Sequence, residues 1–146
     1  MDDNHVRETR IEADYRWSTG GAVGSFLAAL RDGGIILASA CSDCGIVACP
    51  PASYCERCGG ESSELREVGP MGVVVSFARM PLNVPGVPLE APFCYVLVKL
   101  AGADTSLLHV AHEDERIAPG AVVSPEFAKV RQGAITDIRC FVPEGD

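Results

Sequence analysis

The sequence has few lysines, few aromatic residues and no run of one charge. Its 12 Lys and Arg residues are outnumbered by 20 Asp and Glu, the formal charge is -8, and only Lys99 and Lys129 are lysines. An acidic protein repels polyanions at long range, and aromatic residues, at 6% of the chain, are too sparse for a base-stacking platform. We therefore expect no nucleic-acid partner.

Long apolar stretches are also missing. No run approaches the roughly 20 residues that cross a bilayer, and neither end carries a lipidation motif, so no membrane partner is expected. The polar beginning, MDDNHVRETR, predicts no signal peptide. These features predict a cytoplasmic protein, a location in which disulfides are not expected.

Four of the seven cysteines form two pairs, Cys41-x-x-Cys44 and Cys55-x-x-Cys58. This spacing is typical of a tetrahedral zinc site with four thiolate ligands. Gly45 and Gly59 follow the pairs and permit the positive φ that such turns need. The sequence therefore predicts a zinc ribbon with a structural Zn²⁺. A disulfide framework or a thioredoxin-type redox pair fits less well, because the chain has two pairs and no βαβ pattern around them.

The other three cysteines receive no chemical role. Cys49 lies between the pairs and could either displace a ligand or simply pack. Cys94 and Cys140 lie in apolar, strand-like runs, where a buried and inert thiol is expected.

The chain is predicted to be mainly β, with three parts. Residues 1–33 form an N-terminal arm and helix, in which Ile11, Tyr15 and Trp17 follow helical spacing or anchor an extended segment, and the helix itself covers residues 25–32. A rubredoxin-like zinc ribbon occupies residues 34–64 and opens with a strand at 34–40. Residues 65–146 form a five-stranded OB-fold barrel, with strands at 73–80, 93–100, 106–111, 121–127 and 135–142.

Two features of the barrel bear on function. Prolines at 81, 85, 88 and 92 predict a stiffened loop that touches a partner. His109 and His112 have no thiol nearby in the sequence, so structural or surface roles are favoured and no catalytic residue is assigned.

Taken together, the residues resemble the DUF35 family. The resemblance covers nearly the whole chain and is carried by residues 26–33 (FLAALRDG), 41–45 (CSDCG), 50–51 (PP), 55–59 (CERCG), 72–77 (GVVVSF) and 119–120 (PG). It implies a ribbon joined to an OB-fold domain in a non-catalytic, zinc-binding subunit of an acyl-CoA complex. The implied partner is a thiolase-like subunit that carries the catalytic residues in a hetero-oligomer.

The implied reaction is thiolytic cleavage of a 3-oxoacyl-CoA such as benzoylsuccinyl-CoA, with the CoA ester as a shared ligand. Side chains that could contact the CoA ester or the partner are Arg79, Phe93, Lys99, Lys129 and Arg131. Arg79 and Phe93 flank the proline-rich loop, so they either frame an entrance for the ligand or brace that loop, and bracing is favoured.

Two other functions remain open. The chain could serve an acyl-CoA aldolase or hydratase instead of a thiolase, and the sequence does not separate these. A ribbon joined to an OB barrel could also bind single-stranded nucleic acid, although residues 65–146 hold seven basic against ten acidic side chains.

Overall fold

The computed structural model describes residues 9–14 and 16–145. The first eight residues of the predicted arm, together with Tyr15 and Asp146, lie outside the described residues. The described part of the arm, up to Gly20, contains no helix or strand, and both Ile11 and Trp17 are exposed. Within the described residues, no helix combines the length and the apolar character needed to cross a membrane.

Helix α1, Gly21–Gly33, begins four residues earlier than predicted. It buries Phe26 and Leu30 against the rest of the chain. The helix ends because Gly34 adopts a left-handed φ of 64°, so that its N–H reaches the Leu30 carbonyl at 3.0 Å. This left-handed conformation favours glycine, because the Cβ of any other residue would strain the backbone there.

The ribbon is a small antiparallel sheet with the order β2-β1-β3. Its strands are β1, Leu37–Ala40; β2, Val47–Ala48; and β3, Glu64–Glu67. Strand β3 was not predicted, because three of its four residues are charged and exposed, which leaves no apolar alternation to detect. It pairs with β1 from Leu37↔Glu67 to Ala40↔Glu64 and so belongs to the ribbon sheet.

Five further strands form a closed barrel with the order β4-β5-β6-β8-β7. They are β4, Gly72–Met80; β5, Phe93–Leu100; β6, Leu107–His112; β7, Val122–Phe127; and β8, Ile138–Pro143. All the pairings are antiparallel except β6 with β8, which meet in parallel at Ala111↔Phe141. The predicted mainly β fold with a five-stranded barrel is confirmed.

The start of the last predicted strand was wrong. Residues Ile135–Asp137 form a 3-10 helix, and the strand begins at Ile138. The reason is the buried carboxylate of Asp137, which accepts backbone N–H bonds from Gln132, Gly133 and Ala134 at 2.7 to 3.3 Å. A carboxylate that binds the chain preceding it holds a compact turn there instead of an extended strand.

One apolar core runs through the helix, the ribbon and the barrel. Phe26 from α1, Ala38 from the ribbon, and Val96 and Phe141 from the barrel belong to the same buried cluster. The division into units 1–33, 34–64 and 65–146 stays a prediction, and a shared core means that the parts stabilise one another.

The proline loop, residues 81–92, connects β4 to β5 and packs on the barrel. Its Val84, Val87 and Leu89 join a second apolar cluster with Phe93 and Val110. The side chain of Asn83 accepts the Ala91 N–H at 2.7 Å, which ties the two ends of the loop together. The loop is therefore ordered by its own contacts and not only by its prolines.

Candidate metal centre

The two cysteine pairs occupy two tight turns at one end of the ribbon. The first knuckle, residues 41–45, directly follows β1, and the second knuckle, residues 55–59, lies inside the bridge between Tyr54 and Glu61. The structure brings the four predicted ligands together, with all four Sγ atoms within 4.8 Å of one another. Two of the sulfur separations, Cys41 to Cys58 and Cys44 to Cys55, are 3.5 Å.

The backbone of the two knuckles repeats the same hydrogen-bond pattern. Gly45 N–H donates to the Cys41 carbonyl at 3.0 Å, and Gly59 N–H donates to the Cys55 carbonyl at 2.9 Å. Both glycines have a positive φ, 74° and 75°. Two equivalent turns thus present four sulfurs to one point, as the spacing and the glycines predict.

The local electrostatics of the thiols depend on the knuckle amides. Backbone N–H bonds from Cys58 and Arg57 lower the pKa of Cys55 to about 7. The pKa of Cys58 is instead raised to about 12: the Gly60 amide opposes this shift, but the neighbouring Cys41 and Cys44 sulfurs outweigh it. Four thiols this close resist ionising together, and a bound cation removes that penalty.

The donor set fits a divalent metal ion such as zinc. Four thiolates at about 2.3 Å from one ion lie roughly 3.8 Å apart, a spacing compatible with the observed cluster. Four cysteine ligands complete a tetrahedral shell and leave no position for water. The centre is therefore suited to a structural metal and not to a metal that activates substrate.

The remaining cysteines lie outside this centre. Cys49, Cys94 and Cys140 are all buried, and burial raises the pKa of Cys49 to about 12 and that of Cys140 to about 11. Of the two roles left open for Cys49, packing is the one observed, since its side chain belongs to the main core. None of these thiols is poised to react as a thiolate.

The predicted contact residues are not gathered in one place. Arg79 is exposed at the end of β4, with its Nε 3.8 Å from Glu113 Oε1. Its cross-strand partner on β5 is Cys94, whereas Lys99 lies further along β5 opposite Val73, a separation of roughly 17 Å along the strand. Arg79 and Lys99 therefore cannot hold the same small anion.

Phe93, Lys129 and Arg131 have different surroundings. Phe93 is fully buried beneath the proline loop, which favours the bracing role over ligand contact. Lys129 is exposed. Arg131 donates from Nε to the Arg31 carbonyl at 2.9 Å and so places a cation at the C-terminal end of α1. Contact of these residues with an acyl-CoA or a partner stays a prediction.

The two histidines differ in burial. His109 is only 7% exposed, its Nε2 lies 3.2 Å from the Ile135 carbonyl, and its ring packs edge-on against Phe141. Burial lowers the pKa of His109, so the ring is neutral near pH 7. His112 is exposed opposite Phe93. These positions agree with the structural and surface roles favoured for them.

Three clefts formed by the described residues were not predicted from the sequence. The largest of the three, about 550 Å³, lies between the beginning of α1 and the second knuckle and includes Ser25, Ser53 and Tyr54 in its lining. The other two are each about 180 Å³; one lies where Cys49 of the ribbon meets Thr105, and one lies beneath the proline loop. Each is assembled from segments far apart in the chain, and no local motif signals such a juxtaposition.

The fold is similar to that of two solved structures described as DUF35 proteins. The chain is similar to the Ltp2-ChsH2(DUF35) aldolase, with a TM-score of 0.60 and 19% identity over 88% of this chain and 95% of that one. It is also similar to a DUF35 family protein of unknown function from Sulfolobus solfataricus, with a TM-score of 0.60 and 26% identity over 73% of this chain and 77% of that one. No protein-family model and no curated protein matches the sequence. The predicted resemblance to DUF35 proteins is confirmed by these structures and by the cysteine cluster.

Proposed function

We propose that this chain is a zinc-binding accessory subunit of an acyl-CoA enzyme complex, with the catalytic residues on a partner chain. The observation that carries the proposal is the fold shared with the Ltp2-ChsH2(DUF35) aldolase. The name of that structure pairs a DUF35 component with a second protein. By analogy, this chain would assemble with a different catalytic chain into a hetero-oligomer.

The described side chains support an accessory role. Thiolysis needs an activated cysteine next to a base and an oxyanion hole. Among residues 9–14 and 16–145, the cysteines outside the metal centre are buried, with raised thiol pKa values, and His109 is buried and bonded to a backbone carbonyl. The cysteines of the metal centre serve as ligands, so the nucleophile belongs to the partner.

The proposed metal is Zn²⁺ in a structural role. Zinc favours four-thiolate tetrahedral sites, and such a closed site contributes roughly 10 kcal/mol or more of folding free energy without activating water. Because the ribbon shares its core with the barrel, a metal that holds the knuckles also stabilises the surface offered to the partner.

The leading partner is a thiolase-like subunit, and the leading substrate is a 3-oxoacyl-CoA such as benzoylsuccinyl-CoA. Support for the thiolase comes from the resemblance of the sequence. An aldolase is the second candidate, and it is favoured by the similarity of this chain to the Ltp2-ChsH2(DUF35) aldolase. Both enzymes handle a CoA ester, so this subunit would meet the same cofactor portion in either complex.

Arg79 is the best-placed of the predicted CoA contacts. It is exposed and makes only a loose ion pair with Glu113, so it can turn towards a phosphate at little cost. Lys99 and Lys129 are exposed as well and could meet a different part of the ligand or the partner. Arg131 is engaged with α1, and Phe93 acts by supporting the proline loop.

The decisive experiment is co-expression with the candidate acyl-CoA enzyme encoded beside this chain. We expect a stable complex by gel filtration, stoichiometric zinc in this subunit, and acyl-CoA cleavage only when both chains are present. Assays with a 3-oxoacyl-CoA plus CoA, and separately for retro-aldol cleavage, distinguish thiolase from aldolase. Full activity of the enzyme alone, with no complex formed, would refute the accessory role.

A further inference from the structure

The cleft beneath the proline loop, which we call the loop cleft, lies between that loop and the barrel. Three separate segments build it: Gly86 to Pro88 of the proline loop; Tyr95, Leu108, His109 and Val110 of strands β5 and β6; and Ile135 and Thr136 of the connection between β7 and β8. In OB-fold domains, the second and third strands and the two loops equivalent to these form the usual ligand-binding face.

The size and walls of the loop cleft restrict what can enter it. Its volume is about 180 Å³, slightly more than the roughly 150 Å³ of an engineered protein cavity that admits benzene. Aliphatic and aromatic side chains supply most of the wall. A single ring or a short branched chain would fit, whereas a nucleotide is too large and too polar.

One polar group in the wall lacks a protein partner. His109 Nε2 lies 3.2 Å from the Ile135 carbonyl, an arrangement in which Nε2–H donates and Nδ1 carries the free lone pair. Nδ1 is buried and has no hydrogen-bond partner of normal distance and angle among the described residues, although the Val110 backbone lies close enough to the ring to raise its pKa. A buried acceptor without a donor is costly, and a donor supplied by a ligand would remove that cost.

We propose that the loop cleft binds a compact, mainly apolar group about one ring in size that carries one O–H or N–H donor, and that His109 Nδ1 accepts from this donor. The atom exposes less than 1 Å² at the present side-chain positions, so the donor reaches it only after a wall side chain rotates. This binding requires neither CoA nor a partner subunit and is independent of the proposed function.

Phenol and toluene test this proposal, because they have nearly the same size and differ in the donor. The metal-loaded full chain is titrated with each probe while backbone amide shifts are followed by NMR. We expect both probes to shift the amides of Gly86, Leu108 and Thr136, and phenol to bind about threefold to tenfold more tightly. Absence of shifts at these amides with both probes would overturn the cleft as a binding site.

Three variants separate the contributions of the donor and the cleft. His109→Phe keeps a ring but removes the acceptor, and should bring the two affinities to within about twofold of each other. Leu108→Arg, at a half-exposed wall position, should weaken both probes, whereas Val130→Arg is a matched change at an exposed apolar residue outside the cleft and should weaken neither. Equal losses of probe affinity in Leu108→Arg and Val130→Arg would overturn the loop cleft as the binding site.

Equal binding of phenol and toluene to the unmodified chain would overturn the role of Nδ1. That result would mean that a water molecule already satisfies the atom. If His109→Phe does not fold, the two-probe comparison on the unmodified chain and the two arginine variants still decide the proposal.

Discussion

The ribbon and the barrel are stabilised by different physical means. The ribbon sheet has strands of four, two and four residues, and β3 has no fully buried side chain. The barrel strands are six to nine residues long and supply most of the large, fully buried side chains, among them Phe93, Val96 and Phe141. The ribbon strands contribute mainly small side chains such as Ala38 and Ala40 to the shared core, so we expect the knuckles to depend on the proposed metal, whereas the barrel depends on its larger core side chains.

Besides the shared apolar core, a short set of hydrogen bonds joins the two regions. Val47 and Asp104 exchange two bonds, one from the Val47 N–H to the Asp104 side chain at 2.9 Å and one from the Asp104 N–H to the Val47 carbonyl at 2.8 Å. Thr105 Oγ1 accepts the Cys49 N–H at 2.8 Å and donates to the Cys49 carbonyl at 3.0 Å. Damage to the metal centre should therefore reach the barrel through the β5–β6 turn.

Of the changes considered, loss of the metal should lower the stability most, and the ribbon should unfold before the barrel. Chelation, or the double change Cys41→Ser and Cys58→Ser, removes a site that contributes roughly 10 kcal/mol. Hydrogen exchange should show loss of protection in β1 to β3 before the barrel strands. Cys94→Ala is the control, since Cys94 lies in the barrel core and its loss should leave one metal ion per chain. Retention of metal, fold and partner binding by the double variant would contradict the structural role.

Truncation of a core side chain should weaken the barrel while the metal stays bound. Phe141→Ala removes a fully buried ring and should lower the free energy of unfolding by about 3–5 kcal/mol. Phe77→Ala, at a ring that is 36% exposed, should cost distinctly less. Denaturant unfolding with parallel zinc measurement checks both. Equal losses in the two variants would mean that the barrel core does not dominate its stability.

The Asp137 carboxylate should make the stability of the barrel depend on pH. Burial raises the pKa of Asp137, but three backbone N–H donors and the charge of Arg131 outweigh it and hold this pKa below its ordinary value. Its contribution is therefore present above about pH 4 and is lost as the pH falls through the lower folded-state pKa.

Asp137→Asn measures this contribution directly. We expect a loss of about 2 kcal/mol near pH 7, because the charged acceptor of three N–H bonds is replaced. The difference between the two proteins should shrink below about pH 4, whereas acid release of the metal affects both alike. A difference that stays constant down to acidic pH would contradict the assignment. Glu90→Gln, at an exposed carboxylate, is the control.

The junction between the regions should make a smaller contribution. Thr105→Val keeps the shape of the side chain but removes both bonds to Cys49, and should cost about 1 kcal/mol of unfolding free energy. If the junction carries the coupling, chelation of this variant should leave the barrel more protected in hydrogen exchange than chelation of the unmodified chain. Thr136→Val is the matched change at an exposed position and should alter neither quantity.

The smallest effect concerns Arg79 in the assembled complex. If Arg79 contacts the CoA ester, Arg79→Ala should raise KM about twofold to fivefold with little change in kcat, as expected for one exposed ionic contact. Arg66→Ala, at an exposed arginine of the ribbon strand β3, is the control and should leave KM unchanged. An unchanged KM for Arg79→Ala removes this residue from the ligand site.

The sequence predicted the cluster of four cysteines and most of the barrel strands for a physical reason. Knuckle spacing and the glycines at 45 and 59 are local requirements of the turns themselves. Short apolar runs bounded by Gly or Pro indicate strands such as Phe93–Leu100, whose predicted ends coincide with the observed ones. Strand β3 escaped prediction because its residues are charged and its stability comes from pairing with β1. The 3-10 helix at Ile135–Asp137 escaped because one carboxylate overrides the strand pattern.

Local pattern thus sufficed for the four cysteines, the class of fold and the approximate positions of the barrel strands, because turn geometry and runs of apolar side chains act over a few residues. Tertiary structure decided the burial of Phe93, the engagement of Arg131 with α1, the junction at Thr105, and the loop cleft with the unpaired nitrogen of His109. Each of these depends on segments that are distant in sequence and meet only when the common core forms. Their surroundings are set by packing, and packing leaves no periodic signal in the chain.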